Sequence, residues 1–140
     1  MPQEPTTPDP EETRRAIEAD SYDEFAAFIE RNYAPDAVWD LGNVGLGPFE
    51  GLAAILAFVK EYWSMWEEHH HYAEEVADLG HGVGYAVVRE DGRMKGSDAP
   101  VEARGAWVSI SDGDKVVRLT SYTDIDQARA AAERLAEERG

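Results

Sequence analysis

The stretch EGLAAILAFVKEYWSMW, residues 50–66, carries apolar side chains at Leu52, Ile55, Leu56, Val59, Trp63 and Trp66. They return every three or four positions, the spacing of one helix face, and predict a long amphipathic helix with an aromatic end. Two shorter helices and a strand precede it. Asp9 as N-cap, Pro10 beside it and Glu12 in the first turn open a helix to about Ala19, since the cap accepts orphan amides and proline lacks a donor that would go unused. Ser21 and Glu24 form a capping box for the second helix, with Phe25, Phe28 and Ile29 on one face. Ala37 to Leu41 predicts a strand that runs into a turn containing Gly42, Gly45 and Gly47.

Beyond Trp66 the texture becomes that of strands. Segments 69–79, 83–90, 101–111 and 115–123 are parted by Gly80-His81-Gly82, by a glycine-containing loop and by Asp112-Gly113-Asp114, which predicts an antiparallel meander. Asp124, with Gln127 at the box position, caps a last helix whose modest apolar face is Ala128, Ala131, Ala132 and Leu135. Pro2, Pro5 and Pro8 among polar neighbours predict a mobile leader over residues 1–8, and residues 9–140 read as one α+β domain.

A chain of 140 residues is long enough to bury a core of its own. With no cysteine, disulfides, thiolate metal sites and cysteine nucleophiles are excluded. The first ten residues have neither a basic region nor an apolar run, so no signal or membrane anchor is expected and the cytoplasm is the expected compartment. Net charge is −16, from 29 acidic against 13 basic residues, which repels phosphate backbones and argues against nucleic acid as a partner.

The element order resembles the nuclear transport factor 2-like superfamily, which includes ketosteroid isomerases, limonene epoxide hydrolases and SnoaL-type polyketide cyclases. The resemblance covers nearly the whole chain. Its local matches are Tyr33-Ala34-Pro35-Asp36-Ala37-Val38-Trp39-Asp40, Gly51-Leu52-Ala53-Ala54-Ile55, Asp112-Gly113-Asp114-Lys115-Val116-Val117 and Ser121-Tyr122-Thr123-Asp124, which are similar to the SnoaL-like branch. It implies a cone: a curved, mostly antiparallel sheet wrapped around the long helix, with an apolar cavity for a small molecule and an outer face that pairs with a second subunit. Period-two alternation, anchored on Lys115-Val116-Val117, points Glu102, Arg104, Ala106 and Val108 inward and Trp107 outward, as a homodimer contact.

Asp40 matches the position of the general-base aspartate of ketosteroid isomerases, and a desolvated carboxylate at a cavity mouth is a usable base. The alternative is a loop cap that accepts backbone amides. The rest of the isomerase set is absent: Arg14 and Arg15 fall where that family has its oxyanion tyrosine, and Ala106 where it has a protonated aspartate. Arg104 is a candidate electrophile, with Glu102 or Glu74 as partner, or else half of a rim ion pair. The epoxide-hydrolase water triad is missing too, because Ser121 or Thr120 stands at one aspartate position and no carboxylate occurs near Tyr85 and Val87.

Alternation allows at most two of His69, His70 and His71 on one side, and no third ligand is evident, so no metal is expected. His70 and Tyr72 are expected to line the cavity, with His70 a proton shuttle to Asp40. Phe58, Val59, Trp63, Trp66, Tyr85, Val87, Leu119 and Ser121 complete the expected lining. The functional expectation is a cofactor-independent isomerase, cyclase or dehydratase. Its rivals are a ligand-binding or dimerisation module without catalysis and a protein-interaction role.

Overall fold

A computed structural model describes residues 4–140. Helix α1 (Pro10–Ile17) and helix α2 (Tyr22–Asn32) lead into strand β1 (Tyr33–Asp40), a 3-10 turn (Gly42–Val44) and the two-residue strand β2 (Phe49–Glu50). Helix α3 (Leu52–Ser64) follows, then strands β3 (Trp66–Asp78), β4 (Val83–Met94), β5 (Pro100–Asp112) and β6 (Lys115–Tyr122), and helix α4 (Ile125–Arg139). The caps form where the sequence places them: Asp9 accepts the Glu11 amide, Ser21 the Glu24 amide at 3.3 Å and Asp124 the Gln127 amide at 3.0 Å. Each removes one orphan donor from a helix start. Helix α3 ends earlier than its apolar spacing predicts. Trp66 opens β3 and pairs with Met94, and its buried ring stacks on His69.

The six strands form one curved, unclosed sheet in the order β2-β1-β6-β5-β4-β3. Strand β1 runs parallel to β6 and every other pair is antiparallel. The first three residues of the expected leader lie outside the described residues. Of the rest, Thr6 donates its amide to the Gly113 carbonyl at 2.8 Å, and Thr7 and Pro8 lie against a small space of about 50 Å³ between α1 and the sheet.

One residue decides which side chains enter the cone. Asp112 pairs with Lys115 and Ser111 with Val116, but Ile110 pairs with Arg118, which leaves Val117 as an extra residue on β6. Without this bulge Val108 would face Leu119 and Ala106 would face Ser121. With it, Val108 faces Thr120 and Trp107 faces Ser121. A one-residue slip reverses every side chain on the strand. Trp107 therefore points into the cone, and the expectation that it faces a partner subunit is corrected. Val87 pairs with Ala106 and Tyr85 with Val108, so these four belong to the opposite face.

Each face has its own core. On the inner face Phe25, Phe28 and Ile29 of α2, Ile55 and Val59 of α3, and Trp39, Val116 and Leu119 of the sheet pack together, with Trp63 and Trp107 against them. On the outer face Val83, Tyr85, Val87, Ala106 and Val108 pack under Ala128 and Ala132 of α4. The chain's own last helix thus occupies apolar sheet surface that the resemblance assigns to a second subunit. No helix of the described residues is long and apolar enough to cross a membrane.

Candidate active site: an apolar cone with a buried carboxylate

Between α3 and the inner face lies a cavity of about 280 Å³. That is near the lower edge of the ~300–1,000 Å³ usual for small-molecule sites, so its occupant is small. The walls are aromatic: Trp39 from β1, Phe58 and Trp63 from α3, and Trp107 from β5, with Phe25 of α2 behind. Trp107 meets Trp39 edge-on at 5.8 Å between ring centroids and Phe25 at 6.3 Å, which fixes both indoles. The exposed side chains of Val44 and Leu46 form an apolar rim on the turn before β2. Asn43 ties that turn to the Ser121 carbonyl at 3.2 Å.

The polar end of the cavity is built from facing positions of β3 and β4. His71 pairs with Glu90, and His69 lies two residues away on the same side of β3. Glu90 Oε1 accepts the Tyr62 hydroxyl at 2.6 Å, while Glu90 Oε2 meets His71 Nε2 at 3.0 Å and His69 Nε2 at 3.1 Å. Both imidazoles are largely buried, with side chains 5% exposed for His69 and 11% for His71. Burial pushes the Glu90 carboxyl up, but hydrogen bonds from His69, His71 and Tyr62 outweigh it and hold the group well below the usual carboxylate range. Glu90 is therefore an ionised acceptor. Burial, and then its bond to this carboxylate, push the Tyr62 phenol up, so Tyr62 stays a neutral donor.

His71 and Glu90 line the cavity, as does Tyr62. With Nε2 committed to Glu90, the His71 ring has Nδ1 left to offer. His69 sits deeper: it stacks on Trp66 at 4.1 Å with the rings 6° from parallel, and its Nδ1 is buried without a hydrogen-bond partner. At the other side of the cavity Ser121 Oγ accepts the Trp39 indole N–H at 2.8 Å. A hydroxyl that accepts this bond keeps its own proton to donate.

Several expected positions lie elsewhere. Asp40 does not line the cavity. Its Oδ2 accepts from Arg118 at 2.6 Å and its Oδ1 from the Gly42 amide at 2.9 Å, because alternation along β1 turns Trp39 inward and Asp40 outward. This is the geometry of a loop cap with an ion pair, and the cavity-mouth placement is corrected. Asp40→Asn is expected to cost about 1 kcal/mol or less in a thermal melt, since the pair is partly exposed, and to leave ligand binding unchanged. His70 is exposed, 3.4 Å from Glu68, and Tyr72 is exposed beneath the Arg89 guanidinium. Both stand on the outer side, so their inward placement is corrected by the same alternation that turns His69 and His71 inward.

Arg104 reaches the rim, but its side chain is exposed and paired with Glu74, and Glu102 is exposed as well. Tyr85, Val87, Ala106 and Val108 pack under α4, and Trp66 is buried behind His69. Phe58, Val59, Trp63 and Ser121 line the cavity, and Leu119 lies in the core beside it. Arg14, one of the two arginines near the expected oxyanion-tyrosine position, donates to the Ala73 carbonyl.

No family model matches the chain, and no curated protein matches it. Solved structures do. A proposed SnoaL-like polyketide cyclase from Jannaschia sp. CCS1 superposes with a TM-score of 0.68 at 15% identity, over 88% of this chain and 90% of that one. A hypothetical protein from Catenulispora acidiphila with a ketosteroid isomerase-like fold, solved with trimethylamine, gives 0.66 at 15% identity over 89% and 94%. The chain has the nuclear transport factor 2-like fold. A proposed aromatic ring hydroxylase from Novosphingobium aromaticivorans is similar at 0.62 and 24% identity, over 79% of this chain and 82% of that one. Within the nuclear transport factor 2-like fold the cone is shared architecture, whereas function rests on the side chains inside it. The polar end of this cone is formed by His71, Glu90 and Tyr62, of which the sequence pointed only to His71, as one of three adjacent histidines.

Proposed function

We propose that the chain binds a small, mostly apolar molecule carrying a carbonyl or similar oxygen, and moves a proton on it in an isomerisation or cyclisation. The observation that carries this reading is the His71–Glu90 pair, a buried imidazole backed by an ionised carboxylate, at the polar end of an aromatic cavity. The Nε2–H of His71 donates to Glu90, which fixes the tautomer and leaves Nδ1 as the basic lone pair. A C–H beside a carbonyl gives its proton to Nδ1. The resulting imidazolium is stabilised by Glu90, while Ser121 donates its free hydroxyl to the oxygen that gains charge. Return of the proton at another carbon completes an isomerisation. Attack of the carbanion on a second carbonyl of the same molecule, with the proton delivered to the new alkoxide, completes a cyclisation.

The neighbours described as a SnoaL-like polyketide cyclase and as an isomerase of the SnoaL-like family are consistent with this class of reaction. The test is a thermal-shift screen against small ketones, lactones, epoxides and aromatic polyketide fragments, followed by product analysis of each binder in the presence of a chelator. A ligand at a hundredfold excess over Kd raises stability by about 2.7 kcal/mol. The expected result is a carbonyl-bearing binder that the protein converts. Binding without conversion of any class would leave a ligand-binding module instead.

A further inference from the structure

The three side chains at the polar end of the cone also satisfy the requirements of a metal centre. His69 and His71 supply imidazole nitrogens and Glu90 a carboxylate oxygen, and the three ligand atoms lie within 4.8 Å of one another. First-row metals hold such atoms at about 2.0–2.2 Å, which sets ligands at right angles about 3.0 Å apart and tetrahedral ones about 3.4 Å apart. The observed distances from Glu90 Oε2 to the two Nε2 atoms are 3.1 and 3.0 Å. Two imidazoles converging on a single carboxylate oxygen already form most of a coordination triangle.

The surroundings match what such a centre needs. Glu90 Oε1 is held by the Tyr62 hydroxyl, so Glu90 would ligate through one oxygen with its other oxygen anchored, a common outer-shell arrangement. The His69 ring is held by face-on stacking with Trp66 and the His71 ring by Trp63 at 5.2 Å. His71 and Glu90 open onto the cavity, so the remaining coordination positions face the space where a ligand enters. Three protein ligands plus an open position distinguish a reactive metal site from a structural one. No cationic side chain reaches Glu90 among the described ion pairs; its partners there are the two histidines.

We infer that His69, His71 and Glu90 bind one divalent first-row transition metal, of the zinc, cobalt or ferrous class, with its open position toward the cavity. The donor set of two imidazoles and one carboxylate favours these ions over magnesium or calcium, which take oxygen ligands. This goes beyond the proposed proton transfer, which belongs to the metal-free protein, because a metal on Nε2 of His71 leaves the ring proton on Nδ1. An oxygen donor of the bound molecule, a carboxylate, phenolate or carbonyl, is then the group that completes the coordination.

The test is a titration of chelator-treated, metal-free full-length protein with cobalt(II) alone, read by visible absorption, and with zinc(II) alone, read by calorimetry. The expected result is one ion per chain. Glu90→Gln and His71→Asn should each weaken binding by more than the ~10–100-fold that outer-shell changes cost, and His70→Asn should leave it unchanged. Circular dichroism confirms folding, and His69→Asn serves in place of any variant that unfolds. The inference is overturned if the folded wild type takes up no ion at submillimolar concentration, which leaves a hydrogen-bonded cluster only. It is equally overturned if His70→Asn abolishes binding, which places the ion on the exposed His70–Glu68 pair. Conversion of a ligand by the chelated protein is measured separately, so failure of either reading leaves the other intact.

Discussion

His71→Asn is expected to lower turnover of a converted ligand by about 10²–10⁴-fold while its Kd changes little, the usual loss when a positioned general base is removed. Asparagine keeps a polar group facing Glu90 but cannot accept and hold a proton. Glu90→Gln is expected to cause a smaller loss of turnover, since the imidazole remains but its tautomer and its imidazolium are no longer supported. The double variant should fall little below His71→Asn alone, because the two residues act as one unit. Glu90→Gln is also expected to lower stability by about 1–3 kcal/mol, as it replaces an acceptor that serves Tyr62, His69 and His71. Steady-state kinetics and thermal melts on the four proteins check these statements together.

Trp107→Ala is expected to destabilise the fold by about 3 kcal/mol and to enlarge the cavity. The indole packs edge-on against Trp39 and Phe25 inside the cone, and truncation of a large aromatic in such a place leaves space that the walls do not fill. Affinity for small ligands should fall while bulkier ones gain access. If the indole instead faced a partner subunit, the same change would convert a dimer to monomers and leave the cavity's ligand preference untouched. Denaturant melts, sedimentation and the ligand screen distinguish the two outcomes.

The architecture was legible because helices and turns announce themselves locally. Asp9, Ser21 and Asp124 cap the helices they were expected to cap, and the spacing from Leu52 to Trp63 marks α3. Side-chain direction in the sheet was not legible, for one physical reason: parity along a strand survives only as far as the next bulge. Val117 on β6 displaces the pairing with β5 by one residue and turns Trp107 inward. A second irregularity on β3, between Ala73 and Glu75, and a third between Trp66 and Glu68 hide the register that sets His71 opposite Glu90. Nothing local in Glu90-Asp91 shows that Glu90 enters the cone, since a charged pair near a strand end reads as solvated. The useful signal was the double histidine spacing of His69 and His71, which required a partner from across the sheet.

Asp40 illustrates the converse. Its position after Trp39 matches the base of the ketosteroid isomerases, yet the match is to a strand end, and the strand end here turns the carboxylate toward Arg118. The polar end of the cone thus stands on α3, β3 and β4 rather than on β1.

The most direct measurement compares wild type, His71→Asn and Asp40→Asn for binding and conversion of one carbonyl-bearing ligand, in a chelator and at equal protein concentration. All three are expected to bind it, Asp40→Asn to convert it at close to the wild-type rate, and His71→Asn to convert it at least about 100-fold more slowly. Full conversion by His71→Asn with loss in Asp40→Asn would overturn the proposed role of His71 and return the reaction to the end of β1.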